Sequence, residues 1–238
     1  MTFNEGYFVW NGKSSRDFDL YLSEPPKKGK AERKQDIISV PGKNGDLIIQ
    51  QDAWKNIPIA YSVFTHGDIG DPEKTIPEFY GWLSQSGYLR LEDSFDTSAF
   101  YLAYYAGGDD IDNIMDQAAR GVITFNAKPQ RYLKSGEKSV TYTSSGALSN
   151  PTPQNARPLI SVTGTGTVKI NDQTITISEN ASKIMIDCEA MDAYGSDGSN
   201  ANGSVSLPSA NIVLKPGANN ITLTGVTSVA VTPRWWTL

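Results

Sequence analysis

From Pro158 to the C-terminus, short apolar runs recur roughly every 8 to 12 residues, the rhythm of an all-β sandwich or barrel. The runs are "PLISVTG", "GTVKIN", "QTITIS", "KIMIDCEA", "NIVLKPG", "NNITLTG" and "SVAVTPRWW". None is long enough for a helix of ordinary length, and turn residues separate them. Asn171-Asp172 and "KPGAN" at 215–219 supply hairpin turns, and "YGSDGSNANGS" at 194–204 reads as a longer loop. The spacing predicts a β-sandwich of jelly-roll type.

The first half is also rich in strand signals. In "NIPIAYSVF", Ile57, Ile59, Tyr61 and Val63 alternate onto one face. In "AFYLAYY", Phe100, Leu102 and Tyr104 share one face, and Tyr101 and Tyr105 the other. "RGVITFNAK" places Ile123, Phe125 and Ala127 together. One helix is predicted, near 76–86, with Thr75 as N-cap, Pro77 in the first turn and Gly87 at the end. Ile76, Phe79 or Tyr80, and Leu83 would face the sheet. Gly81 in its middle costs about 1 kcal/mol against alanine. Residues 136–156 are rich in Ser, Thr, Gly, Pro and Asn and read as a linker. The expected organisation is mainly β: an N-terminal β-rich domain with one α-helix at 1–135, that linker, and a C-terminal sandwich at 157–238.

Composition narrows the function. Of 238 residues, 39% are hydrophobic and 20% charged, as in a globular chain that buries a core. The net charge of −5 disfavours duplex nucleic acid, whose binding depends on neutralising phosphates. With one cysteine, Cys188, no internal disulfide can form. No apolar stretch reaches the ~18 residues of a membrane span. The opening "MTFNEGYFVWNGKSS" has no basic start and no long apolar run, so synthesis in a reducing cytoplasm is expected.

The stretch "DIISVPGKNGDLIIQ", residues 36–50, puts glycines beside a lysine. A phosphate loop needs four residues between its first glycine and a Gly-Lys-Ser/Thr end. Here Lys43 follows Gly42 at once, and no Ser or Thr follows it. Pro41, Gly42, Asn44 and Gly45 instead form a reversal, with Ile38 and Val40 entering and Leu47 and Ile49 leaving: a hairpin.

Nothing in the sequence assembles a catalytic set. His66 is the single histidine, at a strand end, and lacks the partners that acid–base or zinc chemistry needs. Cys188 shares an alternation face with Ile184 and Ile186 and reads as a small core residue. Asp109, Asp110, Asp112 and Asp116 are dense, but Ile114 and Arg120 fall where a calcium loop needs ligands. Glu92 and Asp93 are adjacent and face opposite ways, unlike a glycosidase pair. The basic run from Lys27 to Lys34 reads as a solvated loop. Trp235 and Trp236 can stack on sugar rings or close a core, and Trp235 shares a face with Val229 and Val231.

Six segments, in order, carry a resemblance across nearly the whole chain. They are "FVWNGKSSRDFDLYLSE", "ISVPGKNGDL", "ITFNAKPQRYLKSGE", "NPTPQNARPLISVTGTGTVKIN", "IMIDCEAMDAY" and "TPRWW". The chain resembles the distal tail proteins of siphophages, the long-tailed phages that chiefly infect Gram-positive hosts. The resemblance implies a galectin-like or carbohydrate-module-like C-terminal sandwich and a homo-hexameric ring formed through the N-terminal domains. The ring would join the tail tube protein to the tail-associated lysin and to tail fibre or receptor-binding proteins, with DNA passing through its bore. It implies a virion protein of the tail tip, assembled in the host cytoplasm, with no enzyme activity, no cofactor, no membrane partner and no sequence-specific nucleic acid binding. Pro41, Gly42, Lys43, Asn44, Gly45 and Asp46 then become candidates for the ring interface. Asp109, Asp110, Asp112 and Asp116 become candidates for the channel lining. Two rival readings are a carbohydrate-binding module using Tyr194 or Trp236, and a wall-degrading enzyme, which the absent catalytic set argues against.

Overall fold

The structure is a computed structural model that describes residues 5–67, 70–108, 120–178, 183–208 and 212–238. The chain divides into two units, residues 1–131 with Leu238, and residues 132–237. It is mostly β, with one α-helix among the described residues.

The first unit is built on an antiparallel sheet. Its strands lie in the spatial order Lys13–Ser14, Phe8–Trp10, Leu89–Asp93, Asp96–Gly108, Arg120–Ala127, Ile57–Thr65 and Leu20–Leu22. The alternation read from sequence is the alternation observed. Ile57, Ile59, Tyr61 and Val63 are buried, as are Ile123, Phe125 and Ala127 on the neighbouring strand. Tyr101 and Ala103 point into the same core, while Phe100, Leu102 and Tyr104 are half-exposed on the other face.

The helix spans Pro72–Leu83 and starts before the predicted residue 76. Asp71, not Thr75, is the N-cap: its side chain accepts from the Glu73 N–H at 3.2 Å. Pro77 lies inside the helix rather than in its first turn. The helix buries Phe79, Trp82 and Leu83 on the sheet, with Ile76 and Tyr80 packed beside them. Each of two tryptophans closes the other's backbone. The Trp10 indole N–H donates to the Trp82 carbonyl at 3.1 Å, and the Trp82 indole N–H donates to the Trp10 carbonyl at 2.9 Å. Gly81 is exposed, and a Cβ there would meet nothing within 4 Å. Gly81→Ala is therefore expected to stabilise the first unit by about 0.5–1 kcal/mol, read as a higher urea midpoint. A lower midpoint would show that this helix face is not free.

The second unit is a sandwich of two five-stranded antiparallel sheets. One runs Val140–Tyr142, Ser228–Thr232, Leu159–Thr163, Ile184–Asp187 and Asp192–Gly195; the other runs Gly146–Asn150, Gly217–Thr224, Gly166–Ile170, Gln173–Ile177 and Val205–Ser206. Ile160, Ile186 and Val231 from the first sheet meet Val168, Ile175 and Ile221 from the second in one core. Asn171 makes the expected two-residue turn at φ 52°, in the left-handed region that asparagine tolerates.

Two expectations are corrected here. Residues 136–156, read as a linker, contribute Val140–Tyr142 and Gly146–Asn150, an edge strand on each sheet. Within "NIVLKPG", the described residues 212–216 form no strand; Leu214 makes an isolated bridge with Ala156, and Ile212 and Leu214 are buried.

Candidate functional site

The hairpin read from residues 36–50 is present and longer than expected. Strands Arg33–Ser39 and Asp46–Trp54 pair only with each other, as a two-stranded sheet. We call it the arm. Val40 lies in its turn rather than in a strand, and its carbonyl accepts from the Lys43 N–H at 3.1 Å. Gly42 and Gly45 take φ of +79° and +82°, conformations that L side chains rarely adopt, so both must be glycine for this turn to close without strain. Pro41 to Asp46 sit at the exposed tip.

The arm's root is fixed to the sheet. Lys27 and Lys28 pair with Ala60 and Ile59, and the Gly29 N–H donates to the Pro58 carbonyl at 2.8 Å. A Cβ on Gly29 would sit 2.6 Å from the Pro58 ring, so the close approach requires glycine. Lys28 Nζ lies 3.3 Å from Asp93 Oδ2, whose side chain is buried. Where the two strands begin, the Lys55 N–H donates to the Glu32 carbonyl at 2.8 Å, and the Arg33 guanidinium stacks over Trp54 at 4.6 Å.

Between root and tip the arm carries a band of aliphatic side chains that the described residues leave about half open to water. Ile37, Ile38, Leu47, Ile48 and Ile49 are 58%, 45%, 52%, 54% and 47% exposed. These are the large exposed aliphatics that sequence reading passed over in favour of the turn. The runs are plain in the sequence, but a run of aliphatics does not tell which faces the rest of the chain covers.

The other sequence-derived candidates do not gather into a site. His66 is exposed, 3.0 Å from Glu5 Oε1 and beside the rings of Tyr21 and Phe64. Cys188 is buried, and burial pushes its thiol up to about 12, out of nucleophilic range. Glu92 pairs with Arg90, and Asp93 points into the core. Tyr194 is half-buried on an edge strand opposite Met185. Trp236 is half-buried against the sandwich core, its indole N–H donating to the Asn155 carbonyl at 3.0 Å. Asp109, Asp110, Asp112 and Asp116 lie outside the described residues. Among the described residues no group of three or more His, Cys, Asp or Glu could hold a metal, and no helix is long and apolar enough to cross a membrane.

Among the described residues, Arg16 borders two open cavities of the first unit, of about 400 and 330 Å³. Its guanidinium stacks over Tyr7 at 4.2 Å and donates to the Glu5 carbonyl at 2.6 Å. Neither is lined by a nucleophile beside a general base.

No family model matches the chain, and no curated protein matches it in sequence. Its likeness is in shape. The crystal structure of the Dit protein of phage SPP1, described as a paradigm of the hub adsorption apparatus in phages infecting Gram-positive bacteria, superposes with a TM-score of 0.70. Identity is 14%, over 95% of this chain and 97% of that one. The chain shares the fold of the SPP1 Dit hub protein. The activated baseplate of phage P2 contains a chain similar to it as well, at TM-score 0.54 and 10% identity with calcium and 0.52 and 10% with strontium. In each case the match covers 95% of this chain and 97% of the other. Both units of this chain therefore belong to the Dit-like fold.

Proposed function

We propose that this protein is a structural hub of a phage tail, six copies forming a ring that joins the tail tube to tail-tip or baseplate proteins. The observation that carries this is the exposed aliphatic arm on a Dit-like body. Five large side chains left half-open to water are unfavourable in a lone subunit and favourable once a partner covers them, at roughly 1 kcal/mol each. A closed ring of identical subunits needs a head-to-tail contact, which a projecting arm supplies. The arm stem, with Pro41, Gly42, Lys43, Asn44, Gly45 and Asp46 at its tip, is the proposed ring interface. The tail tube protein and the tail-associated lysin or receptor-binding proteins are the proposed partners above and below. DNA would pass through the bore, where Asp109, Asp110, Asp112 and Asp116 would give six copies a negative lining that keeps DNA from sticking.

The subunit is 25.9 kDa, so a hexamer has a mass of about 155 kDa. Light scattering after size exclusion, across a range of concentrations, is expected to show that species, and images of it a ring with an open centre. A monomer at every concentration would remove the self-assembled ring. A ring with the four aspartates on its outer rim would remove the channel assignment alone.

A further inference from the structure

Three Asn-Gly pairs occur in the chain: Asn11-Gly12, Asn44-Gly45 and Asn202-Gly203. An asparagine followed by glycine is open to a reaction within its own backbone. The next residue's amide nitrogen can close a five-membered ring on the side-chain Cγ. Glycine, with no Cβ, neither blocks that approach nor limits the backbone rotation it needs. All three asparagines are exposed. What separates them is how firmly each is held.

Asn11 is fixed in backbone and side chain. With Gly12 it makes the two-residue turn between Trp10 and Lys13, at φ 47°. Its N–H donates to the Arg90 carbonyl at 2.9 Å, and its Nδ2 donates to Gln85 Oε1 at 2.7 Å. Asn202 opens a short 3-10 helix, Asn202–Ser204. Its Oδ1 accepts from the Ala193 N–H at 2.8 Å, while its Nδ2 donates to Asp192 Oδ1 at 2.7 Å. Each of these carboxamides must break its bonds before it can turn. Asn44, at the tip of the arm, carries no such restraint. Among the described residues nothing bonds its carboxamide or the Gly45 N–H. A Cβ on Gly45 would meet nothing within 4 Å, so the space beside the attacking nitrogen is open. The turn's bond from the Lys43 N–H to the Val40 carbonyl lies before the Asn44–Gly45 peptide and does not restrain it.

We propose that Asn44 is a self-deamidation site. The Gly45 nitrogen gives its proton to a hydroxide ion and attacks Asn44 Cγ. The Cγ–Nδ2 bond breaks, and ammonia leaves after taking a proton from water, which restores the hydroxide. Water then opens the succinimide at one of its two carbonyls. Attack at Cγ gives aspartate; attack at the backbone carbonyl gives isoaspartate, with the chain running on through Cγ. One water is consumed, one ammonia is released, and nothing is oxidised or reduced. The product places a carboxylate two residues from Asp46. Residues 33–54 hold Arg33, Lys34 and Lys43 against Asp36, Asp46 and Asp52, so the net charge of the arm falls from 0 to −1. The reaction belongs to the single subunit and is independent of any ring.

Peptide mapping by mass spectrometry, on the full chain in dilute solution at mildly alkaline pH, follows all three sites at once. In the chain unfolded by guanidinium the three pairs are expected to react at similar rates, which sets the scale. In the folded chain Asn44 is expected to keep that rate, while Asn11 and Asn202 fall at least about tenfold below theirs, because their hydrogen bonds add to the barrier. The Asn44 product is expected as two separable peptides of the same mass, aspartate and isoaspartate, formed faster as pH rises. A more acidic form of the whole protein, resolved by ion exchange, should grow in step with them. It should be absent from Asn44→Gln, whose longer side chain would have to close a six-membered ring. An Asn44 that folding slows as much as it slows Asn11 and Asn202 overturns the site. So does an acidic form that grows unchanged in Asn44→Gln.

Discussion

Trp82→Ala is expected to destabilise the first unit by about 3–5 kcal/mol. Two costs add. The first is packing: the indole lies against Phe18, Phe8 and Phe79 at centroid distances of 5.0, 5.6 and 5.5 Å, and removing it leaves a void among rigid rings that cannot close over it. The second is polar. The Trp10 carbonyl, on a fully buried residue, loses the 2.9 Å hydrogen bond from the Trp82 indole. Losing that bond costs about 0.5–1.5 kcal/mol. Trp82→Phe separates the two, since it refills most of the volume and still removes the indole donor. It is expected to cost about 1–3 kcal/mol. Urea unfolding followed by circular dichroism measures both. A loss below about 1 kcal/mol for alanine would mean that the helix does not hold the sheet through this residue.

What the sequence revealed, and what it concealed, follows from how each signal arises. Buried strands in the middle of a sheet announced themselves, because Ile57 to Val63 and Ile123 to Ala127 must alternate to face one core. The edge strands Val140–Tyr142 and Gly146–Asn150 did not. Each pairs on one side only, and Val140, Tyr142 and Leu148 are too sparse to stand out in a run of serine and threonine. The helix start was misplaced because two proline signals compete. Pro77 with Thr75 imitates a first turn, while Asp71 and Pro72 make the real one. At the arm, turn chemistry identified the hairpin correctly, but sequence reading fixed on its polar tip. Unbroken runs such as Leu47-Ile48-Ile49 usually mark strands covered on both faces. Here the described residues leave them about half exposed. A local pattern that demands burial, in a segment its own chain leaves open, is the mark of an interface, and it needs both sequence and structure to be seen.

Asp93→Ala is expected to cost about 3–5 kcal/mol, and Lys28→Met only about 1–2 kcal/mol, although the two side chains form one ion pair. The asymmetry follows from what else each group does. The Asp93 side chain is 3% exposed, and its Oδ1 accepts from the N–H groups of Phe95 and Asp96, both at 3.0 Å, closing the turn between two strands. It is also a hydrogen-bond partner of the Tyr61 hydroxyl, whose pKa is held well above the ordinary phenol value, first by burial and then by the charge of Asp93. Alanine at 93 leaves that turn and a buried phenol without their acceptor. Lys28 is 27% exposed along its side chain, and its ammonium lies 5.0 Å from the Tyr101 ring. Methionine keeps its stem packed and leaves the carboxylate with its other donors. Equal losses in the two variants, measured by urea unfolding, would show that the carboxylate serves the ammonium rather than the turn. The unequal outcome has a consequence for assembly. Lys28 stands at the root of the arm, two residues before the chain leaves the sheet at Lys30, and it ties that root to the most firmly held carboxylate of the core. Lys28→Met would then leave the sheet intact while loosening the arm's exit, so that, on the proposed ring reading, assembly falls although the body remains folded.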